Sequence, residues 1–296
     1  MPIFMKMKRL LVIVFFLMFF QLVFAQKQTN HFKKQKFTNS IIGISTGLYL
    51  TYNYVDDIWW GDQKTEFTFD SGRDAVYALN VDKCGHFMGG LIFSDVIYSS
   101  MYNSGIDMLS SKWIGGFSGS VLQLAIEVKD AYSPYWGFSK ADLAAGAFGS
   151  FWPVFQYYYD PLNAINFKFS YWNKSDHHQN LQAEMNKQSN NFSWQDNYIN
   201  QTYWITFNVK KAINNEVFPD WLNIALGFSI DDSQYLDQYN RKQGGKNELY
   251  LSLDYNLFSL FKKKPNTRFL KWIEYFHFPA PAIRITPKFE WYPLFM

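Results

Sequence analysis

Six polar side chains interrupt apolar stretches between residues 82 and 142, and their types are those of acid–base or metal chemistry: Asp82, Lys83, His86, Glu127, Asp130 and Asp142. Asp82 and His86 stand four residues apart, so they share one face of a helix that already includes Asp82. If Asp82 is instead the N-cap, its carboxylate accepts backbone N–H groups while His86 projects one turn further in. Glu127 and Asp130 are three apart and again share a face. Asp142 follows Ser139, a suitable N-cap, and so lies in a first helical turn, where the helix dipole favours a carboxylate. Three kinds of chemistry fit these types. The first is structural: Lys83 and His86 pair with the carboxylates in a hydrogen-bonded network, because buried charges must be paired. The second is a metal site, with His86 plus Glu127, Asp130 or Asp142 as a mixed nitrogen and oxygen shell. Its weakness is spacing, since neither Glu-x-x-His, His-Glu-x-x-His nor Cys-x-x-Cys occurs here. The third is acid–base work, in which crowded carboxylates hold a proton near neutrality and His86 shuttles it.

To act together, these residues must be brought together by helices. Apolar positions at helical spacing predict four, over residues 40–58, 82–102, 112–129 and 139–159, with Pro161 ending the last. Short connections make successive helices antiparallel, which puts the start of the second, the end of the third and the start of the fourth at one end of a bundle. All six polar residues then gather there. The second and fourth helices are rich in small residues (Gly85, Gly89, Gly90 and Ser94; Ala144, Ala145, Gly146 and Gly149), which let backbones approach closely, as membrane helices do. Membrane-embedded or membrane-resting helices are therefore expected over a bundle spanning residues 39–160. From residue 165 onward the pattern alternates with period two, predicting strands at 166–172, 202–209, 222–230, 248–257 and 283–291. About five strands fall short of the eight of the smallest membrane barrel. The expected fold is α+β: a membrane-associated N-terminal bundle of about four helices, then an antiparallel β region over residues 165–296. Pro279-Ala280-Pro281 and the aromatic tail WYPLF suit an edge strand or an interfacial anchor.

The first 25 residues have the layout of a signal peptide: Lys6, Lys8 and Arg9, a long apolar run, and small Ala25 before a polar stretch. These three basic residues account for the whole formal charge of +3, so residues 26–296 are formally neutral. That excludes a nucleic-acid binder built on a broad basic surface. With 48% hydrophobic and 21% aromatic residues, a neutral chain needs lipid or a partner against its apolar surface. The single cysteine, Cys84, is far from the Ala25 junction, so a lipid anchor there is not expected. There is no phosphate-binding glycine loop, no Gly-x-Ser-x-Gly elbow and no catalytic-cysteine context, so no cofactor is expected, and no small-molecule ligand is indicated. His177 and His178 lie in a polar stretch read as a solvated loop. Lys262-Lys263-Lys264 with Pro265 and Arg268 reads as a solvated loop or a contact with anionic headgroups. The Trp59-Trp60 pair and the tyrosines at 157–159 read as packing or interfacial residues.

Asp82-Lys83-x-x-His86-Phe87, Glu127-x-x-Asp130, Trp136-Gly137-Phe138-Ser139-x-x-Asp142 and Gly149 together resemble the YfiM-like family of predicted periplasmic (lipo)proteins, domain of unknown function 2279. The longer Bacteroidetes-type form is also similar at Lys168-Phe169-Ser170, Gln201-Thr202-Tyr203-Trp204 and Pro219-x-Trp221-Leu222-Asn223-x-Ala225-x-Gly227. This resemblance implies an exported cell-envelope protein, periplasmic or associated with the outer membrane. Short members look like lipoproteins, whereas this chain lacks the lipid-bearing cysteine. Members often carry Asn or Asp where this chain has Gly146, which removes one polar contributor. A looser similarity to VanZ-like membrane proteins implies a membrane bundle and no activity. The resulting expectation is a non-enzymatic structural or binding protein whose partner is membrane lipid or an envelope protein. The alternative is an envelope hydrolase acting on lipid or cell-wall substrates through His86, Glu127, Asp130 and Asp142. A third possibility is a scaffold whose β region offers an edge to a partner.

Overall fold

The computed structural model describes residues 32–56, 60, 65–134, 136–185, 196–213, 216–239, 241–261 and 268–296. The signal-like segment, Trp59 and the lysine run at 262–264 lie outside these residues. The chain divides into two compact units, residues 1–69 with 89–154, and residues 70–88 with 155–296. The fold is α+β, with helices ahead of an antiparallel sheet.

The first unit is helical. It holds α1 (Lys34–Val55), α4 (Met108–Asp130), and most of α3 (Val81–Asn103) and α5 (Lys140–Tyr158), with α2 (Arg73–Tyr77) falling in the second unit. The four long helices follow the four expected ones; α1 starts earlier than expected. Helix α4 begins at Asp107, whose Oδ1 accepts the Ser110 N–H at 2.9 Å. Bonds from Ser110 hold this carboxyl below its usual range, as at an N-cap. One core cluster joins Ile97, Met101, Ile106 and Ile114, with Phe37, Ile41 and Ile44 of α1 packed against it.

The other contact is a seam of small residues. A methyl group on Gly90 would sit 2.1 Å from the carbonyl oxygen of Gly146, so α3 and α5 meet backbone to backbone. Along the same seam Ser94 lies beside Gly115, Gly119 beside Ser150, and Gln123 beside Gly146. Close approach is thus the work of the small residues, as expected from their density. Among the described residues, however, no helix is long and apolar enough to cross a membrane. The seam residues trade apolar bulk for proximity, and Lys83, Asp95, Lys112, Lys129 and Asp142 interrupt what remains.

The second unit is built on a six-stranded sheet in the order β1-β2-β3-β6-β7-β8, with every neighbouring pair antiparallel. The strands are β1 (Ile165–Tyr171), β2 (Gln201–Asn208), β3 (Leu222–Ile230), β6 (Asn247–Tyr255), β7 (Ala280–Thr286) and β8 (Glu290–Phe295). Two short strands, β4 (Gln234–Leu236) and β5 (Lys242–Gly244), pair by themselves. The inner face packs Trp204, Ala225, Tyr250, Ala282 and Phe295 into one core. Gly227 is opposite Trp204 in the ladder, and a methyl there would strike the indole at 2.6 Å. His277 stacks on the indole, ring centres 4.0 Å apart. Just ahead of β7, the chain also meets β1: Phe169 N–H donates to the Tyr275 carbonyl, and His277 N–H donates to the Phe169 carbonyl.

Four sequence expectations need correction here. The strand expected over 283–291 is two, because Pro287 lacks a donor and cannot continue the ladder. The second of them, β8, is the edge strand expected for the aromatic tail, with Pro293 on it. The polar stretch holding His177 and His178 is helix α6 (His177–Glu184), and His178 is buried rather than solvated. The stretch at 231–246, where no strand was expected, carries the β4–β5 hairpin.

The seam makes a direct comparison available. Gly90→Ala should destabilise the protein by about 3 kcal/mol through overpacking. Gly43→Ala, at an α1 site with nothing within 4 Å of the added carbon, should stabilise it by roughly 0.5–1 kcal/mol. Urea unfolding of the two variants checks both signs.

Candidate functional site

In the first unit, Glu127 and Asp142 form the centre of the candidate site. Glu127 lies on the last turn but one of α4 and Asp142 on the first turn of α5, and both are buried. Glu127 Oε2 accepts the backbone N–H of Ser139 at 2.8 Å, which fixes the carboxylate against the start of α5. Ser139 also caps that helix, its Oγ accepting the Asp142 N–H at 3.3 Å. One oxygen of Glu127 and one of Asp142 lie within 4.8 Å of each other. Two buried carboxylates at that separation repel unless a proton, a cationic side chain or a metal stands with them. Asp130 has a different task. Its Oδ1 accepts the indole N–H of Trp60 at 2.5 Å, while Lys129 lies over the rings of Trp60 and Tyr52 and pairs with Asp56. The end of α4 is thereby tied to the residues that follow α1. Trp60, read from sequence as packing or interfacial, is a buried packing residue with a polar handle.

In the second unit, Asp82 is buried in the first turn of α3, with Lys83 Nζ at 3.4 Å from both of its oxygens. His86 follows one turn on, half-buried. Between them, burial and the Asp82 charge push the Cys84 thiol up to about 11, against the opposing effect of Lys83. The Asp82 charge is also felt by three half-buried tyrosines. Tyr77, Tyr198 and Tyr203 are all held above the ordinary tyrosine range, by desolvation first, then by neighbouring tyrosines and Asp82 for Tyr77 and Tyr198 and by Cys84 and Asp82 for Tyr203. Tyr77 and Tyr198 meet edge to face, and Tyr203 O–H donates to Gln201 Oε1 at 2.7 Å. Tyr203 also touches the start of α3, since a methyl on Gly85 would meet its hydroxyl at 2.9 Å. Sequence reasoning missed this hydroxyl group around Asp82. Only Tyr203 had left a signal, inside the Gln201-Thr202-Tyr203-Trp204 match.

Also missed were the charged groups on the inner face of the sheet. Lys168 Nζ is 2.9 Å from Asp254 and 3.3 Å from Glu274, and donates to the Tyr255 carbonyl at 2.7 Å. Lys174 bonds Glu248 at 2.7 Å, and Arg284 bonds the same carboxylate at 2.8 Å. Burial lowers the Lys174 pKa, though Glu248 opposes it. The neighbouring His277 is driven down to about 4 by burial, so its imidazole is neutral at pH 7, with Nε2 donating to the Leu253 carbonyl at 3.2 Å. Period-two alternation gave no clue that polar residues would take the inside.

Residues 71–158 match the model of a family described as a predicted periplasmic lipoprotein, DUF2279. The matched stretch contains all six polar residues and supports the resemblance as far as that domain family. No curated protein and no solved structure matches the chain.

His277 makes stability depend on pH. Its folded pKa lies below the unfolded value of 6.5, so the unfolded chain takes up protons first as pH falls. Its contribution is complete above pH 6.5 and should be lost as pH drops from there toward about 4, by roughly 3 kcal/mol in all. Denaturant melts across that range should show a slope that His277→Gln flattens.

Proposed function

We propose that this chain is an exported cell-envelope protein with a structural or binding role, in which Asp82, Lys83 and His86 in one unit and Glu127, Asp130 and Asp142 in the other are the polar groups that carry it. The observation that carries the reading is the buried Glu127–Asp142 pair, pinned by Ser139. Two carboxylates held this way need a proton, a cationic side chain or a metal beside them. The seam sets the end of α4 against the start of α5: Gly146 stands beside Gln123, and one helical turn further along the two helices come Asp142 and Glu127. In this reading the site closes the end of the bundle, with Asp130 and Trp60 holding its rim.

The family description supports export to the periplasm. Lipid attachment is not carried over: the single cysteine, Cys84, sits inside α3, where acylation would break the helix packing. We place the protein in the periplasm or on the outer membrane, in the long YfiM-like, Bacteroidetes-type form, with membrane lipid or an envelope protein as its partner. A metal-dependent envelope hydrolase is the competing reading, favoured by the same pair, since Glu127 and Asp142 would supply oxygen ligands.

Purified wild-type protein should contain no stoichiometric metal by elemental analysis, and His86→Ala should lower folded yield. A bound metal at one equivalent, or a lipid- or peptidoglycan-hydrolysing turnover that disappears in a normally stable His86→Ala variant, would replace this reading with the hydrolase.

A further inference from the structure

We propose that the outer face of the six-stranded sheet is a lipid-contacting surface, seating the second unit against the acyl chains of a bilayer. This deepens the reading of a membrane-associated envelope protein by naming the surface that makes the contact.

The ladder registers define two faces without ambiguity. One row runs Lys168, Trp204, Gly227, Tyr250, Arg284, Glu290 across all six strands. The next runs Phe167, Ile205, Leu226, Leu251, Ile283, Trp291. In a sheet with one face to water, the second row would be buried and the first exposed. The reverse is found on β2, β3 and β6, where Trp204, Gly227 and Tyr250 are buried and Ile205, Leu226 and Leu251 exposed, while Phe167 on β1 packs against Phe87 of α3. Along β6, Glu248, Tyr250, Ser252 and Asp254 are buried, while Leu249, Leu251 and Leu253 are exposed, and on β3 Asn223 is buried while Leu226 is 46% exposed. Trp291, at the end of the outer row, is 61% exposed. Exposed apolar side chains on several adjacent strands make a patch that water-soluble monomers rarely leave open.

Charge identifies the occupant. The strands of this sheet carry Lys168, Glu248, Asp254, Arg284 and Glu290, and the register sends every one of them to the inner face, where they pair with one another. Among the described residues, the outward-facing strand positions carry no charge. Trp221 stands just before β3, exposed, with its ring 6.2 Å from that of Tyr255, which continues the outward row of Leu249, Leu251 and Leu253 on β6. An uncharged apolar band with an indole at one end complements acyl chains. At nine residues, β3 and β6 each extend about 30 Å, comparable with the acyl layer. Polar inside and apolar outside is also the arrangement of membrane β-structure. Backbone exposure at the β1 edge is reduced as well, because Phe169 bonds Tyr275 and His277.

The test uses the full chain and vesicles of palmitoyl-oleoyl phosphatidylcholine with phosphatidylglycerol. Wild-type protein should float with the vesicles, and Leu226→Glu/Leu251→Glu should reduce the floated fraction by about tenfold or more, with an unchanged far-ultraviolet spectrum. If that variant fails to fold, Trp291 decides: dibrominated acyl chains should quench wild-type emission, and Trp291→Phe should remove most of the quenched component. Undiminished flotation of the charged variant overturns the proposal, as does quenching that Trp291→Phe leaves unchanged. So does a wild-type protein that ignores vesicles and forms a dimer split by the same double variant, which would assign the face to a second copy. Folded yield and metal content of His86→Ala are independent of flotation, so this proposal can fail while the polar site stands.

Discussion

The first unit depends on one contact in which no side chain takes part: the backbone of α3 at Gly90 against the carbonyl of Gly146 on α5. Everything chemical in that unit is set by it. With the helices this close, Gln123 fills the remaining space beside Gly146, and the ends of α4 and α5 are held near enough for the Ser139 amide to reach Glu127. A seam of alanines or leucines would bury more apolar area, at about 25 cal/mol per Å². It would also separate the helices and leave Glu127 without that donor. Stability is forgone along the seam, and what results is a fixed distance between two carboxylates.

The sheet obeys a different constraint, the pairing of charges that are out of water. Lys168 and Asp254 are both fully buried, and removing either would strand the other at a cost of several kcal/mol. The network is long enough to dictate which way every strand faces. Once Lys168, Asp254, Glu248 and Arg284 turn inward, period two sends the leucines and isoleucines between them outward. The apolar outer surface is a consequence of the inner ion pairs as much as a feature of its own.

Much of this architecture was legible in the sequence, and the limits have physical causes. Helical periodicity located α3, α4 and α5 to within a few residues, because amphipathic spacing, the Ser139 cap and Pro161 act locally. The strand at 222–230 was read to the residue for the same reason. Period-two alternation shows that a strand has two faces but not which one is buried, so the Lys168 network left no sign in it. The buried state of His178 was equally hidden, since it comes from packing around Leu181 and its approach to Asp196, not from neighbours in sequence. Of the site, the polar types and their spacing were readable. The hydroxyls of Tyr77 and Tyr198 near Asp82 were not, because they are 121 positions apart along the chain and meet only through tertiary structure.

Cys84 shows how far such a neighbourhood reaches. With its thiol near 11, only about one part in ten thousand is thiolate at pH 7, and the thiolate is the form that attacks disulfides and oxidants. In an oxidising compartment a lone surface cysteine would be a standing route to crosslinked dimers. Held in the first turns of α3 beside a buried carboxylate, this one is chemically quiet, so its slow reaction with thiol reagents becomes a clock for how often the start of that helix opens.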